Sequence, residues 1–154
     1  MLAARRVHLV SSLGATFLIA LFFCATVSVE LFGTHSDVAQ VKHLITTPGL
    51  WVLIPLVASA GVTGKLMTRG RRGRLLNAKR RRTGVVAATG VLVLVPTALT
   101  LDWLASSGDF GRLFYCVQSL ELLAGASNLT LMSLNIYDGL RLSGRIKPSR
   151  TARA

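Results

Sequence analysis

Acidic residues are scarce in this chain: six Asp and Glu stand against 18 Lys and Arg among 154 residues, a formal net charge of +12. Such an excess would suit nucleic acid, whose non-specific affinity is set by clustered cations. Yet only 16% of the residues are charged and 51% are hydrophobic, the composition of a membrane protein, whose apolar runs dictate where the cations must lie. Nucleic acid is therefore not an expected partner. Cysteine is scarcer still. Cys24 and Cys116 both lie inside apolar runs and form no C-x-x-C or Cys/His cluster, which argues against thiolate-metal and thioredoxin-like chemistry and reads as two small buried residues. The chain also lacks G-x-S-x-G, H-E-x-x-H, P-loop and dinucleotide fingerprints, so a hydrolytic or phosphoryl-transfer enzyme is not expected. No A-x-A-like cleavage site follows the first apolar run, which is too long for a signal-peptide core and is read as a retained anchor.

What the chain has is apolar length. Between Arg6 and Glu30 lie 23 uncharged residues, from Leu44 to Gly64 another 21, and from Thr83 to Leu101 a further 19, interrupted by Pro96. At 1.5 Å per helical residue each suffices for a hydrocarbon core about 30 Å thick. A fourth run, residues 113–137, carries one internal charge, Glu121. The reading is a single all-α domain over 1–154, an integral membrane four-helix up-down-up-down bundle with spans at about 7–32, 48–66, 83–104 and 113–138. Pro96 predicts a kink in the third span rather than its end. Residues 33–42 form a polar connection, 67–82 a basic loop, and 145–154 a frayed tail.

The basic loop sets the orientation. Lys65, Arg69, Arg71, Arg72, Arg74, Lys79, Arg80, Arg81 and Arg82 are nine of the 18 Lys and Arg, and such a cluster stays on the cytoplasmic side. With the loop inside, both termini are cytoplasmic and 16 of the 18 cations fall inside, leaving only Lys42 and Arg112 outside. Trp51, Trp103 and Tyr115 then mark outer helix ends and Tyr137 an inner one, where aromatic belts belong. Glu30 and Asp102 mark the outer interface with water. The nine cations are candidate contacts for anionic lipid headgroups or a protein partner.

The fourth run carries the most informative pattern. Gln118, Glu121, Gly125, Asn128, Met132 and Asn135 recur at spacings of three and four, one seam of a helix. Polar side chains so aligned are expected to face the bundle or a partner, not lipid. Glu121 reads as the chain's only deep charge. In the structural reading it hydrogen-bonds Gln118 and neighbouring Ser or Thr side chains; in the functional one, Gln118, Glu121, Asn128 and Asn135 hold a proton or a small ligand. Haem between two imidazoles fits poorly, because His8 and the pair His35 and His43 lie at opposite membrane faces. His35, Asp37 and His43 have the right residue types for an outer metal site, though nothing in their spacing fixes a geometry.

The stretches His8-Leu-Val-Ser-Ser-Leu-Gly-Ala-Thr16, Thr46-Thr-Pro-Gly49 and Thr63-Gly64 resemble small bacterial four-helix inner-membrane proteins related to the copper-resistance D type, over the first two helices. That resemblance implies a redox or haem-linked role, from which this chain departs in having no paired intramembrane histidines. The sequence requires no cofactor. The expectation is a non-enzymatic accessory or assembly subunit of a bacterial inner membrane, acting through the fourth-helix seam as a homo-oligomer or with another membrane subunit. A quinone-like or haem-associated binding module is the alternative, and a small proton-coupled transporter or channel the second.

Overall fold

The computed structural model of the chain describes residues 2–68 and 73–142. It is all-helical, 94% helix, with no strand among the described residues and four helical rods. The first rod is α1 (Leu2–Phe32) and the last is α6 (Arg112–Leu142), 31 residues each and so about 46 Å long. Neither contains a proline, and nothing interrupts their backbone ladders.

The second rod is broken. It opens with α2 (His35–Leu44) on a capping box: the Thr34 hydroxyl accepts from the Asp37 N–H at 3.3 Å, and the Asp37 carboxylate accepts from the Thr34 N–H at 2.7 Å. Two of the orphan donors at the helix start are satisfied in this way. A wide π turn over Ile45–Gly49 follows, in which Thr47 leaves helical space (φ −139°, ψ 106°), and α3 runs over Leu50–Thr68. Residues 33–42, expected as a polar connection, are thus mostly helix, because the cap allows a short polar segment to start one.

The third rod comprises α4 (Arg74–Thr89), a π turn over Gly90–Leu94, and α5 (Val95–Ser106). A π turn lies just before Pro96, where a kink was expected: proline has no N–H for the carbonyl one turn back, and the ladder widens there. Thr97 donates its hydroxyl to Val93 O at 2.9 Å. The expected basic loop over 67–82 is corrected, since Arg74 onward is helix. No Gly or Pro interrupts residues 74–83, and Arg, Leu, Lys and Ala are strong helix formers. Arg69, Arg71, Arg72 and the tail 145–154 lie outside the described residues, and of Arg74 only the backbone is described. α5 is stopped just before Gly108, with φ +73°, where the Gly108 and Asp109 N–H groups return to Ala105 O and Leu104 O, the two bonds of a Schellman stop.

Contacts fix the register between rods. His8 meets Ala60 and Thr63, a Cβ at Gly14 would touch Leu56, and Phe22 packs on Gly49 so closely that a Cβ there would fall 2.6 Å from the ring. Those numbers run in opposite directions along α1 and the second rod. Likewise Asn135 meets Thr83 and Asn128 meets Val86. The tightest apolar packing lies at the α2 end, where Val38, Leu101, Leu104, Ala105 and Phe114 are buried together.

Three stretches, Ala3–Phe32, His35–Met67 and Leu76–Ser106, are long and apolar enough to cross a membrane. Less than a quarter of each apolar window is buried inside the chain, and Phe17, Leu92, Trp103 and Leu123 are each about 70% exposed. So much uncovered apolar surface requires an apolar surround. The fourth expected span, within α6, matches α1 in length but falls outside this group, because its polar seam lowers its hydropathy.

Candidate functional site

The side chains of the fourth-rod seam point inward. Gln118 is 4% exposed and Asn128 1%, Gly125 is buried against Phe23, and Met132 and Asn135 are half-buried. The inward face follows from the sequence pattern, because a stripe of polar groups at three-and-four spacing is the only face of α6 that lipid would reject.

Its partners differ from expectation. Glu121 does not bond Gln118. Lys42, carried across by α2 and 1% exposed, donates from Nζ to Glu121 Oε2 at 2.5 Å. A lysine expected in the outer aqueous connection is therefore the largest fully buried side chain among the described residues, and Glu121 is not the only deep charge. Removing both ions from water carries a desolvation penalty that only close pairing offsets. Two further acids, expected to mark the water interface, are drawn in as well. Glu30 on α1 interacts electrostatically with Lys42, Glu121 and His35, and its Oε1 is buried with no hydrogen-bond partner. Asp102 on α5 accepts from the Thr46 hydroxyl at 2.5 Å and faces His43 Nδ1 at 3.4 Å. Both Gln118 amide atoms are buried and without a partner.

The seam continues toward the other end. Asn128 donates to Val86 O at 3.3 Å, Asn135 to the Thr83 hydroxyl at 3.2 Å, and Arg82 to Asp138 at 2.9 Å. Asp138 is buried and Arg82 half-buried. His8 Nδ1 lies 3.1 Å from Ala60 O and 3.2 Å from the Thr63 hydroxyl. Of the other expected headgroup contacts, Lys65, Arg80 and Arg81 are exposed, whereas Lys79 is half-buried facing Asp138.

The candidate outer metal trio, His35, Asp37 and His43, does not assemble. His35 stacks on Phe110 at 4.1 Å, Asp37 is engaged in the α2 cap, and His43 turns to Asp102; no group of three such ligands converges among the described residues. Cys24 and Cys116, expected to be buried, are free and exposed, which places their small apolar side chains on the outer face. Beside Glu121 lies a mostly apolar cavity of about 70 Å³, walled by Phe22, Phe23, Thr26, Ile45, Leu53 and Leu94. Pockets that enclose drug-sized ligands hold roughly 300–1,000 Å³, several times the volume of this one.

Sequence reasoning missed Lys42, Glu30, Asp102, Thr46 and Asp138. One signal was available: Thr34-His-Ser-Asp37 is a capping-box pattern, and from it Val38, Lys42 and Ile45 fall on one helical face, which is the buried one. Comparison with protein-family models, curated proteins and solved structures finds no match.

Proposed function

We propose that this chain is a multi-pass protein of a bacterial inner membrane, an up-down-up-down four-helix bundle with both termini in the cytoplasm, serving as a non-enzymatic accessory or assembly subunit. The carrying observation is how the seam is spent: Glu121, Asn128 and Asn135 bond to other helices of the same chain. The seam is thus an internal lock that fixes how the rods pack, and a partner meets other surfaces. The inner end supplies one, because Lys65, Arg80 and Arg81 are exposed there and attract anionic headgroups or an acidic partner. The side assignment rests on the 16 of 18 cations that one orientation places inside, and the compartment on the resemblance of the first two helices to small bacterial inner-membrane proteins.

Native mass spectrometry of the protein, extracted in mild detergent with its neighbours attached, tests this reading. A defined homo-oligomer or a stoichiometric second membrane subunit, without a redox cofactor, is expected. A quinone or haem bound one per chain would overturn it in favour of a ligand-binding module.

A further inference from the structure

The polar seam of α6 is only partly bonded. Gln118 is 4% exposed with both amide atoms buried and unpartnered, and Asn128, 1% exposed, has its Oδ1 in the same condition. Buried polar groups are otherwise paired almost without exception, because each unpaired one forfeits its hydrogen bonds to water with no return. The cavity of about 70 Å³ lies between these two residues, since Glu121 and Gly125 line it. Gln118 precedes Glu121 by three residues and Asn128 follows Gly125 by three, about 4.5 Å of rise in each case, within the reach of an amide side chain. Thr26 on α1, 3% exposed, supplies a second polar group to the cavity wall. The bond from Lys42 engages only Oε2 of the Glu121 carboxylate.

We propose that this cavity is a binding site for ordered water, held by Glu121 and Thr26 and extended along the seam by the amides of Gln118 and Asn128. A water molecule needs roughly 10–15 Å³ of such space and two to four polar partners. The cavity exceeds the first requirement, and a carboxylate, a hydroxyl and the flanking amides meet the second. Water suits this set because it both donates and accepts. It donates to the Glu121 carboxylate, to Gln118 Oε1 and to Asn128 Oδ1, and it accepts from the Gln118 N–H groups and the Thr26 hydroxyl. A wholly apolar cavity stays dry; here the carboxylate in the wall decides the other way. Hydration also offsets part of the desolvation that burial imposes on the Lys42 and Glu121 ions. The Lys42–Glu121 pair and the Asn128 bond to Val86 O are thereby joined through solvent held inside the bundle. This goes beyond the accessory-subunit reading and does not depend on it, since it needs only the inward direction of the seam.

Water-edited solid-state NMR of the full chain in liposomes tests the site by reading how fast water magnetisation reaches each residue. Thr26, Gln118 and Gly125 are expected to receive it early, whereas Leu101, fully buried in the apolar cluster, receives it late. Thr26→Val keeps the side-chain shape and removes the hydroxyl, so it is expected to slow the transfer to Gly125 while chemical shifts elsewhere show the fold retained. Adding Gln118→Leu is expected to abolish the early transfer to Gly125; the single variant carries the test by itself if the double one does not fold. Transfer to Thr26 and Gln118 no faster than to Leu101 in the wild type overturns the proposal, as does unchanged early transfer to Gly125 in Thr26→Val. Contacts from lipid-tail protons to Phe22 and Leu53 inside the cavity would also overturn it, marking a site for an acyl chain instead.

Discussion

Lys42 and Glu121 are 79 residues apart and meet inside the bundle, and the pair behaves differently when halved than when removed. Lys42→Ala leaves the Glu121 charge uncompensated and is expected to destabilise the fold by about 3–5 kcal/mol, whereas replacing both partners with apolar residues of similar size restores most of that loss. Thermal unfolding of the detergent-solubilised variants, run as a double-mutant cycle, measures the difference; equal losses for the single and the double replacement would show that the pair does not act as a unit. At this scale the sequence was half legible. The seam of α6 announced itself by spacing, because polar groups at helical intervals in an apolar run have one sensible direction. Its partners did not, because Lys42, Glu30 and Asp102 are recruited by tertiary contacts, and a charge at the edge of an apolar run reads equally well as an interface marker.

The elements themselves follow local chemistry where caps and prolines speak plainly. Pro96 announced a disturbed ladder between α4 and α5, and a π turn lies over Gly90–Leu94. The basic segment was misread because like charges suggested a solvated loop, while Arg74 to Arg82 contain nothing that stops a helix. α2 was missed although its capping box is written in Thr34 and Asp37. That short helix carries Lys42 into the interior, so its start has consequences beyond itself. Thr34→Ala removes the hydroxyl that accepts from the Asp37 N–H and is expected to lower helix stability by about 1 kcal/mol. Hydrogen exchange should then accelerate at residues 35–38 while α6 amides stay protected. Unchanged protection across α2 would mean that packing on Leu101, Leu104 and Phe114, rather than the cap, sets where this helix begins.

For the whole molecule the decisive quantity is which side each connection faces. The three apolar stretches leave most of their surface uncovered by the chain, and the cations divide so unevenly that inverting the bundle would move most of them across the membrane. Because α4 begins at Arg74, the exposed Gly73 lies at the cationic end, and the exposed Ser107, which follows α5, at the other. With Cys24 and Cys116 replaced by alanine, a cysteine at position 107 is expected to react with a membrane-impermeant maleimide in intact cells from which the outer membrane barrier has been removed. A cysteine at position 73 is expected to react only after the inner membrane is opened. The opposite pattern would invert the bundle and place the cationic end outside, against the charge rule. Labelling at both positions in intact cells would mean that the chain does not span the membrane as a four-rod unit, and the uncovered apolar surface would then have to be buried against other protein.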